Sequence, residues 1–242
     1  MIGAAIAVKP LLVPVLLLFV LARRWRGLAL AVLVPAVASG LAALAMPDPA
    51  GFFTRTLPFL FSGDDTFVRL YEASPGAVLP RLGVPQAVAS AVGLAGAGAG
   101  VWIARRRWRC EGATGAGAGA EAAAGRIAES AVLVMLSAFL VSRPSYDHYL
   151  LVVVPLLLAG AVVEGAPART PWFWLALLPQ VPGFVWPWLE AGERRAFKDA
   201  VTLCLLAVTV AVCCARRGPV TVDAADPPGA EESAVPASGA AF

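Results

Sequence analysis

Apolar runs long enough to cross a bilayer recur along almost the whole chain, and they constrain this sequence more than any motif in it. A membrane helix needs about 20 predominantly apolar residues, and about seven runs approach that length: 2–21, 28–46, 84–104, 127–141, 149–163, 172–189 and 200–215. Leu, Val and Ala dominate them, whereas a transmembrane barrel would show short alternating segments. Charged residues make up 14% of the chain, against roughly 25% in soluble domains, and the mean hydropathy is +0.76. The pattern predicts an all-α, polytopic membrane helical bundle over residues 1–217, with the lipid bilayer as its first partner and no affinity for nucleic acid. Residues 111–125, rich in Gly and Ala, read as a flexible cytoplasmic linker. Residues 218–242, rich in Pro, Ala, Gly and acidic side chains, read as a disordered tail.

Basic residues set the expected orientation, because Lys and Arg collect on the cytoplasmic side. Arg23, Arg24 and Arg26 follow the first run, Arg105, Arg106, Arg107 and Arg109 the third, and Arg216 and Arg217 the last. Every second boundary is therefore cytoplasmic, the tail included. The segments 47–83, 142–149 and 190–199 then face outward in a multi-pass protein of the cell membrane. Arg194, Arg195 and Lys198 are basic against this trend. The run at 172–189 carries Pro179, Pro182 and Pro187 and is expected to kink or break. Trp172, Trp174, Trp186 and Trp188 near its ends fit an interfacial aromatic belt. Gly96 and Gly100 offer a small-residue face for helix packing.

The stretch Ser142-Arg143-Pro144-Ser145-Tyr146-Asp147-His148-Tyr149 is a polar island between two apolar runs and holds the single histidine. Ionisable groups at a bilayer edge are costly to place, which makes the cluster a candidate site. A plain connecting turn would need Ser and Pro, but not Asp, His and Arg together. Arg143 suits bidentate binding of a phosphate. Tyr146 and Tyr149 suit stacking on a sugar ring or anchoring at the interface. Asp147 and His148, about 100° apart on a helix, do not make a charge-relay pair unless the segment is irregular. Lys9, followed by Pro10, either snorkels to the interface or supplies a cation for a lipid phosphate. Asp64-Asp65 reads as a turn, and Phe52, Phe53, Phe59, Phe61 and Phe67 suggest short helices lying on the membrane surface. Cys110, Cys204, Cys213 and Cys214 have no metal-ligand spacing, so no metal and no cofactor are expected.

Ala5-Ile6-Ala7-Val8-Lys9-Pro10, an apolar helix, and then Arg23-Arg24-Trp25-Arg26 together resemble membrane glycosyltransferases of family 87. These are polyprenol-phosphate-mannose-dependent mannosyltransferases of the GT-C type. Their later outer segment reads roughly Ser-Pro-x-Ser-Trp-x-His-His; Ser142, Ser145 and His148 match it in register, with Tyr146 at the tryptophan and Tyr149 at the second histidine. Glu72-Ala73-Ser74 with Arg81 looks like a degraded Asn-x-Ser element. The resemblance extends over about 1–206. It implies mannosyl transfer from a polyprenyl-phosphate donor to a glycolipid or glycan acceptor outside the membrane, with Lys9, Arg143, Ser145, Tyr146 and His148 at the substrates. It also implies a general base in an acidic loop ahead of Lys9, so this chain is expected to be the GT-C-like C-terminal half, joined to or partnered by a separate N-terminal half. A non-catalytic membrane subunit, or a transporter or flippase, remains open as an alternative.

Overall fold

The computed structural model describes residues 3, 10–56, 58–59, 71–111, 120–143, 145–162, 165–182 and 195–216. Among them every regular element is helical. A 3-10 segment Pro10–Val15 leads into α1 (Leu16–Leu21), followed by α2 (Trp25–Leu44), α3 (Pro75–Arg81), α4 (Gln86–Glu111), α5 (Ala120–Val141), α6 (Leu150–Ala159), α7 (Pro171–Leu177) and α8 (Arg195–Arg216).

Helix α5 is the axis of the bundle. Val132, Leu133, Val134, Met135 and Leu136 are all buried, so consecutive residues pointing around the full circumference are covered. Leu12 and Val15 cover it from the 3-10 segment, Leu18 from α1, Val153 and Leu157 from α6, and Leu203, Leu206 and Val210 from α8, while α7 packs against α8. Helix α8 is covered on one face only: Ala196, Ala200, Leu203, Leu206, Val210 and Cys214 are buried at three- and four-residue spacing, while Leu205, Val208 and Val212 are exposed. Exposed apolar side chains of this kind are what lipid would cover.

Close approach of α4 to α5 depends on small residues. Ala89, Gly93, Gly96, Gly100 and Ala104 repeat every three or four positions along one face of α4. A Cβ at Gly93 would lie 2.9 Å from the carbonyl oxygen of Leu140, and one at Gly96 would lie 3.1 Å from Leu140 Cδ1. A Cβ at Gly100 would collide with Ser137 Oγ, whose hydroxyl donates back to the carbonyl of Leu133 at 2.7 Å. The expected packing face at Gly96 and Gly100 is therefore part of a longer small-residue stripe.

At the far end of α4 a buried ion pair joins three helices. Arg107 Nη1 lies 2.8 Å from Glu129 Oε2 on α5 and donates to Cys214 Sγ on α8 at 2.9 Å. Both charged side chains are more than nine-tenths covered. Helices α1 and α2 are joined by a tight turn in which Arg23 takes φ 53°, with its N–H bonded to the carbonyl of Val20 and that of Arg24 to Phe19. This is a Schellman closure with arginine in the place glycine usually fills, costing roughly 1 kcal/mol.

Helices spanning Trp25–Leu44, Gln86–Arg109, Ala124–Val141 and Arg195–Arg216 are long and apolar enough to cross a membrane, alongside the shorter apolar segments Leu12–Leu21 and Leu150–Val162. Four of the expected runs thus become full-length spans. The run at 172–189 breaks early: α7 stops at Leu177, a 3-10 turn covers Leu178–Gln180 with Pro179 inside it, and 183–190 lie outside the described residues. Helix α4 continues through Glu111 and α5 starts at Ala120, so both helices run into the expected linker and only 112–119 lie outside the described residues. Of the surface helices expected in 47–83, a single turn at Pro49–Gly51 and a wider turn at Phe52–Thr56 are present, capped by Asp48, which accepts from the Gly51 N–H at 2.8 Å. Asp64, Asp65, Phe61 and Phe67 lie outside the described residues, as does the tail after Arg216.

Gly100→Val should lower stability by about 2 kcal/mol through overpacking, whereas Gly98→Val, with nothing within 4 Å of its Cβ, should shift it by less than about 0.5 kcal/mol. Unfolding titrations in bicelles measure both, and equal effects at the two positions would refute the stripe. By the same titration, Glu129→Ala should cost about 3 kcal/mol by stranding Arg107, while the double replacement Arg107→Met with Glu129→Leu should recover most of that loss.

Candidate functional site

Polar groups gather at the opposite end of the bundle from Arg107. Gln86 begins α4 there, and at 1.5 Å per residue the helix places Arg107 about 30 Å away, the thickness of a bilayer's hydrocarbon core. Among the described residues the chain meets this end at 71–82, at the start of α4, around the polar island, and where the 3-10 turn Leu178–Gln180 meets the start of α8.

The first part of the polar island is strapped to the residues ahead of α3. The N–H of Ala73 donates to the carbonyl of Ser145 at 2.6 Å, and Ser145 and Ser74 are both buried. The Ser74 hydroxyl donates to Glu72 Oε1 at 2.9 Å. Arg143 Nε lies 3.6 Å from that same oxygen, and Arg143 Nη2 donates to the carbonyl of Gly76. Gly76 also accepts from Gln86 Nε2 at 3.0 Å, which links the strap to the first turn of α4. Glu72 is almost fully enclosed, with 8% of its side chain exposed, while Arg143 keeps 46% of its side chain open. The guanidinium is thus anchored inside and presented outside.

The second part forms a cluster of rings on the end of α5. Residues Asp147–Tyr149 make one 3-10 turn, tighter than an α-helix, which brings Tyr146, His148 and Tyr149 together. Tyr146 and His148 stack at 5.2 Å between centroids and 17° between planes, and Tyr149 meets the imidazole edge-on at 4.8 Å. Phe139 of α5 supports Tyr149 at 5.4 Å. His148 is exposed and Tyr149 half-buried. Tyr149 lies just outside the apolar segment Leu150–Val162; burial, and then the neighbouring Tyr146, raises its phenol pKa, so it remains a neutral donor.

A third group lies where α7 gives way to α8. Gln180 Nε2 donates to Asp199 Oδ1 at 2.8 Å and to Thr202 Oγ1 at 3.3 Å, and Asp199 and Thr202 are buried. Arg195, at the first position of α8, sits over the ring of Tyr71 at 5.8 Å. Val78 of α3 packs against Ala196 and Ala200, bringing α8 against the 71–82 segment.

Of the sequence-predicted residues, Arg143 and Ser145 join the strap and Tyr146 and His148 join the ring cluster. Lys9 and the side chain of Asp147 lie outside the described residues. Sequence reasoning passed over Gln86 and Asp199. Asp199 had a readable signal, since it falls on the apolar stripe of α8 between Ala196 and Leu203. Glu72 was read only as part of a degraded tripeptide, and its pairing with Arg143 bridges loops far apart in sequence. Among the described residues no group of His, Cys, Asp and Glu has the arrangement of a metal site.

Relatives extend the picture. Over 66 residues, 27% of this chain and 15% of the relative, the sequence is 48% identical to an alpha-(1->3)-arabinofuranosyltransferase of Mycobacterium tuberculosis. Over 59 residues, 24% of this chain and 14% of the relative, it is 36% identical to an alpha-(1->3)-arabinofuranosyltransferase of Corynebacterium glutamicum. Each alignment spans only a small part of these enzymes. No solved structure matches. Residues 1–142 match glycosyltransferase family 87, so the match takes in the segments from Lys9 through α5 and stops at the first residue of the polar island. With more than half its length in that match and an apolar helical bundle behind it, the chain belongs to glycosyltransferase family 87.

Proposed function

We propose that this chain carries the donor-binding end of a membrane glycosyltransferase that moves a sugar from a polyprenyl-phosphate to a glycolipid or glycan acceptor on the extracytoplasmic face. The observation that carries the reading is Arg143, a cation anchored by a buried carboxylate and half-open at one end of a membrane-length bundle. Planar guanidinium suits the oxygens of a phosphate, and lipid-linked donors place their phosphate at this depth. Lys9, from the matched family region, adds a second cation. Tyr146 and His148 offer stacked ring faces and polar edges to a sugar.

The reaction is a displacement at the anomeric carbon. The acceptor hydroxyl oxygen bonds to C1, the bond from C1 to the phosphate oxygen breaks, and its electron pair leaves with the polyprenyl phosphate. Arg143 and His148 stabilise the growing negative charge on that phosphate. The hydroxyl proton passes to a carboxylate base. Glu72 and Asp199 are committed to Arg143 and Gln180, and neither is assigned that task. For the sugar, the relatives' names favour an arabinofuranosyl unit over the mannosyl unit that the resemblance implied.

Transfer assays on membranes holding the full-length protein, run with polyprenyl-phosphate arabinofuranose and with polyprenyl-phosphate mannose, test this. Arg143→Ala and His148→Ala should each lower turnover at least about tenfold with the productive donor. Wild-type turnover in both variants would sink the donor-site assignment, and product from mannose alone would reverse the choice of sugar.

Orientation has its own test. In a background with cysteines 110, 204, 213 and 214 changed to serine, His148→Cys should react with an impermeant maleimide on intact cells. Arg105→Cys, on the exposed basic end of α4, should react only after permeabilisation. The reverse pattern would place the island inside.

A further inference from the structure

Glu72 has no part in the chemistry above, and its sign is wrong for an anion site. A nearby negative charge opposes phosphate binding, so in a purely Coulombic picture its loss would strengthen the complex. Yet Glu72 is buried, and it faces the side chain best suited to a phosphate.

We propose that Glu72 is a positioning residue: with the Gly76 carbonyl it grips one edge of the Arg143 guanidinium, so that the other edge is held ready for the phosphate of a polyprenyl-phosphate. This rests on the donor-site reading of Arg143. The guanidinium meets Glu72 through Nε and Gly76 through Nη2, which share one side of the planar fork. The donors of Nη1 and the second hydrogen of Nη2 make the other side, the pair geometry that matches two phosphate oxygens. Glu72 is itself fixed, by the Ser74 hydroxyl at 2.9 Å and by the backbone bond from Ala73 to Ser145 at 2.6 Å. That bond ties the segment carrying Glu72 to the segment carrying Arg143. Gly76 completes the grip, since a Cβ there would stand 3.1 Å from Arg143 Nη2 and press the guanidinium out of place.

An unheld arginine at an interface loses freedom when it binds, and a held one has lost it already. Positioning and charge therefore predict opposite signs for the same substitution. Glu72→Gln removes the charge, and with it the ion pair to Arg143, with little change of shape. Gly76→Ala keeps the charge and disturbs the grip.

The experiment titrates undecaprenyl phosphate into the full-length protein in nanodiscs, comparing wild type with Glu72→Gln, Gly76→Ala, Arg143→Ala and the double variant Glu72→Gln with Arg143→Ala. Glu72→Gln and Gly76→Ala should each weaken binding about fivefold. Arg143→Ala should weaken it at least as much, and Glu72→Gln should add nothing once Arg143 is gone. Tighter or unchanged binding in Glu72→Gln, with Arg143→Ala still weak, overturns the positioning role and leaves the donor-site reading standing. A further loss from Glu72→Gln in the Arg143→Ala background shows a general structural role and overturns it too. No effect of Arg143→Ala removes the donor-site reading and this inference with it.

Discussion

The contact between α4 and α5 is the constraint on which the rest of the bundle depends. In an apolar solvent the hydrophobic effect between helices is absent, so packing must come from van der Waals contact over a long, close seam. The stripe from Ala89 to Ala104 provides that seam by leaving out side chains, and it seats α4 against Leu133, Ser137 and Leu140. With α4 in place, α5 is covered on that side, and α1, α6 and α8 close around the remainder, with α7 packed on α8. The two polar ends are then held apart at a distance set by helix rise. One rigid pair of helices thus fixes both the depth of the apolar middle and the position of the candidate site.

The two ends satisfy the same rule differently. At one, Arg107 and Glu129 are buried and paired directly, with the Cys214 thiol accepting a further donor hydrogen from Arg107, so that end is closed. Such a pair adds little net stability, since desolvation cancels much of the attraction, but removing either partner is costly. It therefore specifies the register of α4, α5 and α8 more than it strengthens them. At the other end Arg143 is paired through one edge and open at the other. A closed ion pair suits a structural joint, and a half-open one suits a ligand.

Spans were legible from run length because burial of the backbone in lipid demands a continuous helix, and 28–46, 84–104, 127–141 and 200–215 were each found within or overlapping one long helix. Pro179 announced the break after α7 for the equally local reason that proline cannot donate to the helix. Boundaries were less legible: Ala120 to Gly125 looked like linker because Gly and Ala are common in both settings, and their helicity comes from continuing α5. The site was half legible. Arg143, Ser145, Tyr146 and His148 stood out because a polar cluster between apolar runs is costly. Glu72 did not, since its meaning lies in a contact with a residue far along the chain. The sugar was not legible, because donor phosphate contacts say nothing about the ring attached to them.

On the donor-site reading, the chemistry at this end is one-sided. Arg143, His148, Tyr146 and Tyr149 all offer donors or ring faces, and among the described residues the buried carboxylates Glu72 and Asp199 are spoken for by Arg143 and Gln180. On that reading, a site of this composition would stabilise a leaving group and hold a sugar. Transition-state stabilisation of a departing phosphate needs donors fixed before the charge develops, because reorganising them during the reaction would cost much of the gain. Enclosing Glu72 behind Arg143 meets that need at a price in local field, and the exchange is favourable when an aimed fork contributes more than a nearby negative charge takes away. The carboxylate that looks out of place beside an anion site is thus consistent with its purpose, since it is charged, buried and within 3.6 Å of the guanidinium it would hold.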